Sequence, residues 1–211
     1  MTVASSSQPQ SQQQDPDAFV RLGRWLFRQR SWLPLPIAVA LALLPSPPLA
    51  SPFLVWSGAA LVTSGEFLRL WAVRHIGVVS RTRSDRLGPL VASGPFARLR
   101  NPLYLGNIAL WAGFATSSGL VWLIPPIVLL LAFEYHAIVR WEEHLLEGRL
   151  GDKYREYAAR VPRWLPLASP VSLRPQVSSP TFSWRDTLFS ERGTLLAIAL
   201  GYTLLWYKSQ V

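Results

Sequence analysis

Two connections in this chain, residues 45–52 and 116–119, contain no charged residue, while the stretches between them are dense in arginine. That alternation constrains the fold more than any single motif does. Of the 21 basic residues, 20 fall before residue 31, within 69–100 or within 140–192, leaving Lys208 alone near the end. The apolar stretches joined by these connections are 32–44, 53–73, 104–115, 120–139 and 194–207. A hydrocarbon layer about 30 Å thick takes about 20 apolar helical residues to cross. The second and fourth stretches are long enough, and the others are expected to be tilted, re-entrant or buried helices. Short uncharged turns on one side and basic loops on the other are what the positive-inside rule describes for a multi-pass bundle. The expectation is an all-α, polytopic membrane helical bundle with its N-terminus and basic loops cytoplasmic.

A net charge of +9 would also suit a nucleic-acid binder. Such a protein gains nothing from uncharged loops alternating with basic ones, because phosphate contact rewards a continuous basic surface; no nucleic-acid partner is expected. The chain has no Cys, which removes disulfides, thiolate zinc sites and cysteine nucleophiles, and no metal site is expected. Residues 1–18 are Ser/Gln-rich without an apolar core and read as a disordered tail rather than a signal peptide. In 19–31, Phe19, Leu22, Trp25 and Leu26 recur at helical spacing with Arg21, Arg24, Arg28 and Arg30 between them, the pattern of an interfacial amphipathic helix. Residues 32–166 form the expected membrane core of about four spans, 167–193 a Pro/Ser-rich cytoplasmic linker with Trp184 and Phe189 as surface anchors, and 194–211 a C-terminal apolar helix whose Lys208 snorkels outward.

Polar sequence is long and dense in two places. The first contains Gly88-Pro89-Leu90-Val91 and a Gly94-Pro95-Phe96 turn, then Arg100-Asn101-Pro102-Leu103-Tyr104, where Asn101 is placed to cap a helix that starts on Pro102. A helix N-terminus offers free N–H groups and partial positive charge to an anionic ligand group. The second opens with Arg140-Trp141-Glu142-Glu143. Adjacent helical positions point about 100° apart, so one of the two acids is expected to face inward and the other to meet solvent or Arg140. Gly151 is placed to end that helix, and 153–160 to form a short amphipathic one. Glu66, Glu134 and His136, ionisable within or near the spans, are each functional candidates, with a structural Glu66–Arg69 pair and interhelical polar contacts for Glu134 and His136 as the alternative.

The order and spacing of Leu90 to Phe96, Arg100 to Gly106, Glu142-Glu143 and Gly151 to Tyr157 leading into Val161-Pro162-Arg163 resemble the isoprenylcysteine carboxyl methyltransferases and phospholipid N-methyltransferases, across about 67–166. The resemblance implies a cytoplasmic S-adenosyl-L-methionine pocket lined by Gly88, Pro89, Leu90, Val91, Phe96, Asn101, Pro102, Leu103, Tyr104, Glu142 and Glu143. It implies methyl transfer to a lipophilic acceptor drawn from the bilayer, through a carboxyl, thiol or amine group. Arg100 or Arg140 is then expected to hold an acceptor carboxylate or lipid phosphate, with Glu142 positioning the cofactor. Two residues depart from the family pattern. Asn101 stands where a His is usual and cannot accept a proton near pH 7, and Phe96 replaces a frequent Tyr. Two other classes stay open: a membrane reductase using a nicotinamide cofactor, and a non-catalytic membrane protein of the same architecture. The sequence leaves the oligomeric state open.

Overall fold

The computed structural model describes residues 17–46, 51–77, 90–171 and 181–210. All regular structure among them is helical: α1 (Ala18–Gln29), α2 (Leu35–Leu43), α3 (Pro52–Ile76), α4 (Pro102–Ser117), α5 (Ile124–Leu150), α6 (Asp152–Arg160) and α7 (Trp184–Lys208). Proline opens α3 and α4 at a position whose N–H has no helical partner to lose. Gly77 and Gly151, at φ of 64° and 55°, end α3 and α5 in a backbone conformation that L-residues avoid.

Length separates the helices into two groups. α3, α5 and α7 have 25, 27 and 25 residues, so each runs about 37 Å or more, whereas α2 and α4, with 9 and 16, reach only about 14 and 24 Å. Among the described residues, Val121–Leu150 alone is both long and apolar enough to cross a bilayer by composition. The other long helices carry Glu66, Arg69 and Arg74, or Arg185, Asp186, Glu191 and Arg192. α7 starts ten residues before the apolar stretch that announced it. The Ser183 side chain accepts from the Asp186 N–H at 3.1 Å and donates to its carboxylate at 2.6 Å, a cap that shortens the Pro/Ser-rich segment.

The densest packing joins α3 to α4. Gly58 and Gly65 on α3 face Gly113 and Gly106 on α4, seven residues apart on each helix. A Cβ at Gly65 would lie 2.8 Å from the Gly106 carbonyl oxygen, and one at Gly113 would lie 2.8 Å from that of Gly58. The two backbones therefore touch along an antiparallel hairpin, as small residues permit in membrane helices. α1 crosses α5 in the same manner: a Cβ at Gly23 would fall 2.0 Å from the Ala137 carbonyl oxygen. That crossing buries Val20, Leu26 and Phe27, so α5 covers the apolar stripe of α1. Large apolar side chains remain exposed on α3 (Phe53, Trp56, Phe67), α5 (Leu129, Phe133) and α7 (Leu196, Leu200, Trp206).

Polar contacts tie α7 to this frame. The Arg69 guanidinium meets Glu66 at 3.3 Å and Thr194 at 3.1 Å, and also bonds Asn107 and Glu191, so the Glu66–Arg69 pair belongs to a buried cluster drawn from α3, α4 and α7. Lys208 does not reach outward. Its ammonium donates to the carbonyls of Leu41, at 2.9 Å, and Leu44, occupying carbonyls left unpaired at the end of α2. Gly65→Val is expected to destabilise the protein by about 1–3 kcal/mol by forcing the α3–α4 contact open. Gly148→Ala, where a Cβ meets nothing within 4 Å, should stabilise α5 by about 0.5–1 kcal/mol. Thermal unfolding of the detergent-solubilised chain checks both.

Candidate functional site

The two polar segments fold against each other just beyond the ends of α3, α4 and α5. Gly94 has a φ of 59°, and a Cβ there would sit 2.4 Å from the His75 imidazole at the end of α3, so the turn closes only on glycine. The His75 ring also bonds the Ser93 hydroxyl at 3.0 Å. The turn sinks Phe96 into the interior, where its carbonyl accepts from the Tyr157 hydroxyl of α6 at 2.9 Å. Beyond it the backbones run antiparallel. The Arg100 N–H donates to the Pro162 carbonyl at 2.9 Å, that of Leu167 to Arg98 at 3.0 Å, and that of Val171 to Ala97 at 2.9 Å. Leu90 and Ala92 pack on the buried Tyr154, Tyr157 and Val161.

The acidic pair divides as its helical geometry demands. Glu142 accepts from the Tyr104 hydroxyl at 3.1 Å, across the α4–α5 contact. Glu143 meets Arg100 at 3.0 Å and Arg163, whose Nε lies 3.1 Å away and whose second nitrogen bonds the other carboxylate oxygen. Arg100 and Glu143 are each 14% exposed, and two guanidinium groups on one carboxylate leave the cluster with one net positive charge. The hydrogen bonds that Arg163 donates to Glu143 hold its pKa above the usual arginine range, and burial raises the Tyr154 and Tyr157 hydroxyls above the usual tyrosine range, so both phenols stay protonated. The Arg100 Nε is buried with no hydrogen-bond partner among the described residues.

Some expectations change in detail. Asn101 stands at the N-cap of α4, but its side chain makes no cap: Nδ2 donates to the Arg163 carbonyl at 3.1 Å. The competing carbonyl comes from the 162–171 strand of chain laid against it, which leaves the first-turn amides of Leu103 and Tyr104 without a side-chain partner from Asn101. Glu143 turns to Arg100 and Arg163 instead of to solvent or Arg140. Arg140 is 44% exposed and lies 3.6 Å from Asp17, ahead of α1. Leu90, Val91, Phe96, Asn101, Pro102, Leu103, Tyr104, Glu142 and Glu143 thus gather at one end of α4 and α5, while Gly88 and Pro89 lie outside the described residues. Of the interhelical polar candidates, Glu134 is buried with Oε1 unpartnered, and His136 sits beside the Trp164 ring at 6.3 Å between centroids.

Three participants escape local sequence pattern. Arg163 and Tyr154 reach the cluster from 20 and 11 residues beyond Glu143, across the turn at Gly151, with no periodicity to pair them. Arg30 arrives from α1: its guanidinium stacks on the Phe27 ring at 4.0 Å, that ring packs on Trp141 at 4.7 Å, and its charge reaches Glu142 and Tyr104. The run of arginines in α1 was the available signal, although nothing singles out its last member.

The phospholipid methyltransferase family matches over residues 53–153. That match bears out the resemblance read from the motifs. Over 121 residues, 54% of each chain, this protein is 31% identical to the nickel-cobalt-cadmium resistance protein NccN of Alcaligenes xylosoxydans xylosoxydans. Over 119 residues it is 29% identical to the cobalt-zinc-cadmium resistance protein CzcN of Cupriavidus metallidurans, covering 56% of this chain and 52% of that one. The chain spans about half the length of the curated relatives it matches. No solved structure matches.

Glu143→Gln should destabilise the protein by on the order of 2–4 kcal/mol, because it strands two largely desolvated guanidinium groups. Glu142→Gln, which keeps a hydrogen-bond acceptor for Tyr104, should cost under about 1 kcal/mol. Denaturation of the two variants side by side checks the contrast.

Proposed function

We propose that this chain is an integral-membrane methyltransferase that uses S-adenosyl-L-methionine and acts on a lipophilic acceptor. The observation that carries the reading is the convergence of the family-matched motifs at one end of α4 and α5, with Glu142 set apart from the arginine-paired Glu143. The residues present suit that cofactor. A carboxylate, Glu142, complements its ammonium group. The first turn of α4 and the unpartnered Arg100 Nε offer N–H donors to its carboxylate, and Phe96 and Tyr104 supply aromatic walls.

When bound, the cofactor supplies a methyl group already activated on a sulfonium, so the protein needs no strong general base for a carboxylate or thiolate acceptor. What remains for the chain is alignment, exclusion of water and charge balance. Tyr104 holds the Glu142 carboxylate in place, and Glu143 offsets part of the charge of Arg100 and Arg163, reducing its repulsion of a cationic ligand. Asn101 in place of His fits this division, since no proton has to be taken up there. An amine acceptor would have to arrive deprotonated.

In this reading α3, α5 and α7 cross the bilayer, α2 and α4 fill it partway, and the basic loops face the cytoplasm. The exposed apolar side chains of the long helices support that placement. A nicotinamide cofactor fits less well, because its several phosphates need a dense basic pocket, and the adjacent acids Glu142 and Glu143 stand in this one. The curated relatives are named for resistance to metals; a part for this chain in metal tolerance would act through a methylated membrane component.

Calorimetric titration of the solubilised full chain should show S-adenosylhomocysteine binding, weakened about tenfold or more by Glu142→Gln, with no binding of NADPH. Label from S-adenosylmethionine should enter the lipid extract of membranes containing the protein. Binding of NADPH alone would replace this reading with a reductase, and binding of neither ligand would replace it with a non-catalytic role.

A further inference from the structure

The arginines expected to receive the methyl acceptor are occupied elsewhere. Arg100 is paired with Glu143 in a largely buried contact, and Arg140 lies on an exposed surface beside Asp17. Arg163 is doubly bonded to Glu143. A further arginine stands at the same place. Arg30 closes α1, half-buried, with its guanidinium 4.0 Å above the Phe27 ring and that ring 4.7 Å from Trp141, the residue before Glu142. Its field extends to Glu142 and Tyr104, yet no carboxylate of the described residues pairs with it.

Packing fixes the base of this side chain. Gly23 lets α1 press on the α5 backbone at Ala137, and Phe27 is 6% exposed, so the ring beneath the guanidinium cannot swing away. Stacking on one face leaves the in-plane N–H groups of a guanidinium free, which is the geometry for a planar or tetrahedral oxyanion. The position is close to two exposed Trp side chains, Trp25 on α1 and Trp32 in the turn that follows it. In the membrane placement proposed above, this is headgroup depth, where Trp side chains favour the interface.

We propose that Arg30 is the anchor for an anionic group of the methyl acceptor, a lipid phosphate or a lipid carboxylate, held beside the cofactor site. The proposal rests on the methyltransferase reading and moves the anchor for the acceptor's anionic group from Arg100 or Arg140 to Arg30. It also gives α1, which precedes the family-matched residues 53–153, a direct part in the site. Phe27 and Trp141 act as positioning residues behind it.

The test uses the solubilised full chain saturated with S-adenosylhomocysteine and titrated with three probes: dihexanoyl phosphatidate, decanoate and uncharged dihexanoylglycerol. At least one anionic probe should bind the wild type about tenfold or more tightly than Arg30→Ala, with Arg30→Lys between them, since Lys keeps the charge but loses the fork. The anionic probe that responds identifies phosphate or carboxylate as the source. Dihexanoylglycerol should bind all three forms alike, as should S-adenosylhomocysteine in a separate titration. Equal affinity of wild type and Arg30→Ala for both anionic probes, or no preference of the wild type for them over dihexanoylglycerol, overturns the assignment. Failure of the wild type to bind S-adenosylhomocysteine instead sinks the methyltransferase reading, and the Arg30 dependence of the anionic probes is still read, without the nucleoside.

Discussion

One carboxylate, Glu143, holds two guanidinium groups that come from chain segments more than sixty residues apart, Arg100 ahead of α4 and Arg163 beyond α6. The site depends on that contact. It fixes the end of α5 against both polar segments, draws the 162–171 stretch onto 96–101, and brings the Arg163 carbonyl to Asn101. It also sorts the charges. With Arg100 and Arg163 both paired to Glu143, Glu142 is left to face Tyr104 and the space beside it, and Arg30 has no carboxylate partner among the described residues. A pair of adjacent acids thus takes two roles because helical geometry points them apart.

The frame behind the site is built on closeness rather than on bulk. Glycines at 58, 65, 106 and 113 let α3 and α4 meet backbone to backbone, and Gly23 does the same for α1 on α5. In the membrane placement proposed above, where burial of apolar groups would give little net gain, such contact and interhelical hydrogen bonds would hold the helices together. The Arg69 cluster and the Lys208 cap then attach α7 at both ends. α1, α2 and α7 all lie outside the stretch that matches the family.

Much of this is legible in the sequence. The alternation of charged and uncharged connections placed the polar segments at one end, and Gly94, Pro102 and Gly151 marked turns and helix ends that hydrogen bonding confirms locally. Partnerships across the chain were not legible. Asn101 is at a cap position by pattern, but a carbonyl brought from residue 163 takes its side chain. Lys208 has the position of a snorkelling residue, yet its ammonium bonds the unpaired carbonyls at the end of α2. The start of α7 was written in Ser183 and Asp186, but surrounding Pro and Ser obscured that cap. Arg30 looks like any other arginine of an amphipathic helix until Phe27 is seen to seat it beside Trp141.

The central claim, that the two polar segments form one pocket for S-adenosylmethionine, is met most directly by photo-crosslinking the full chain in membranes with cofactor labelled in its methyl group, followed by mass-spectrometric mapping. The account predicts adducts on residues 90–104 or 135–164, suppressed by excess S-adenosylhomocysteine and lost in Glu142→Ala. Suppressible adducts confined to other segments, or labelling that excess S-adenosylhomocysteine does not reduce, would contradict it.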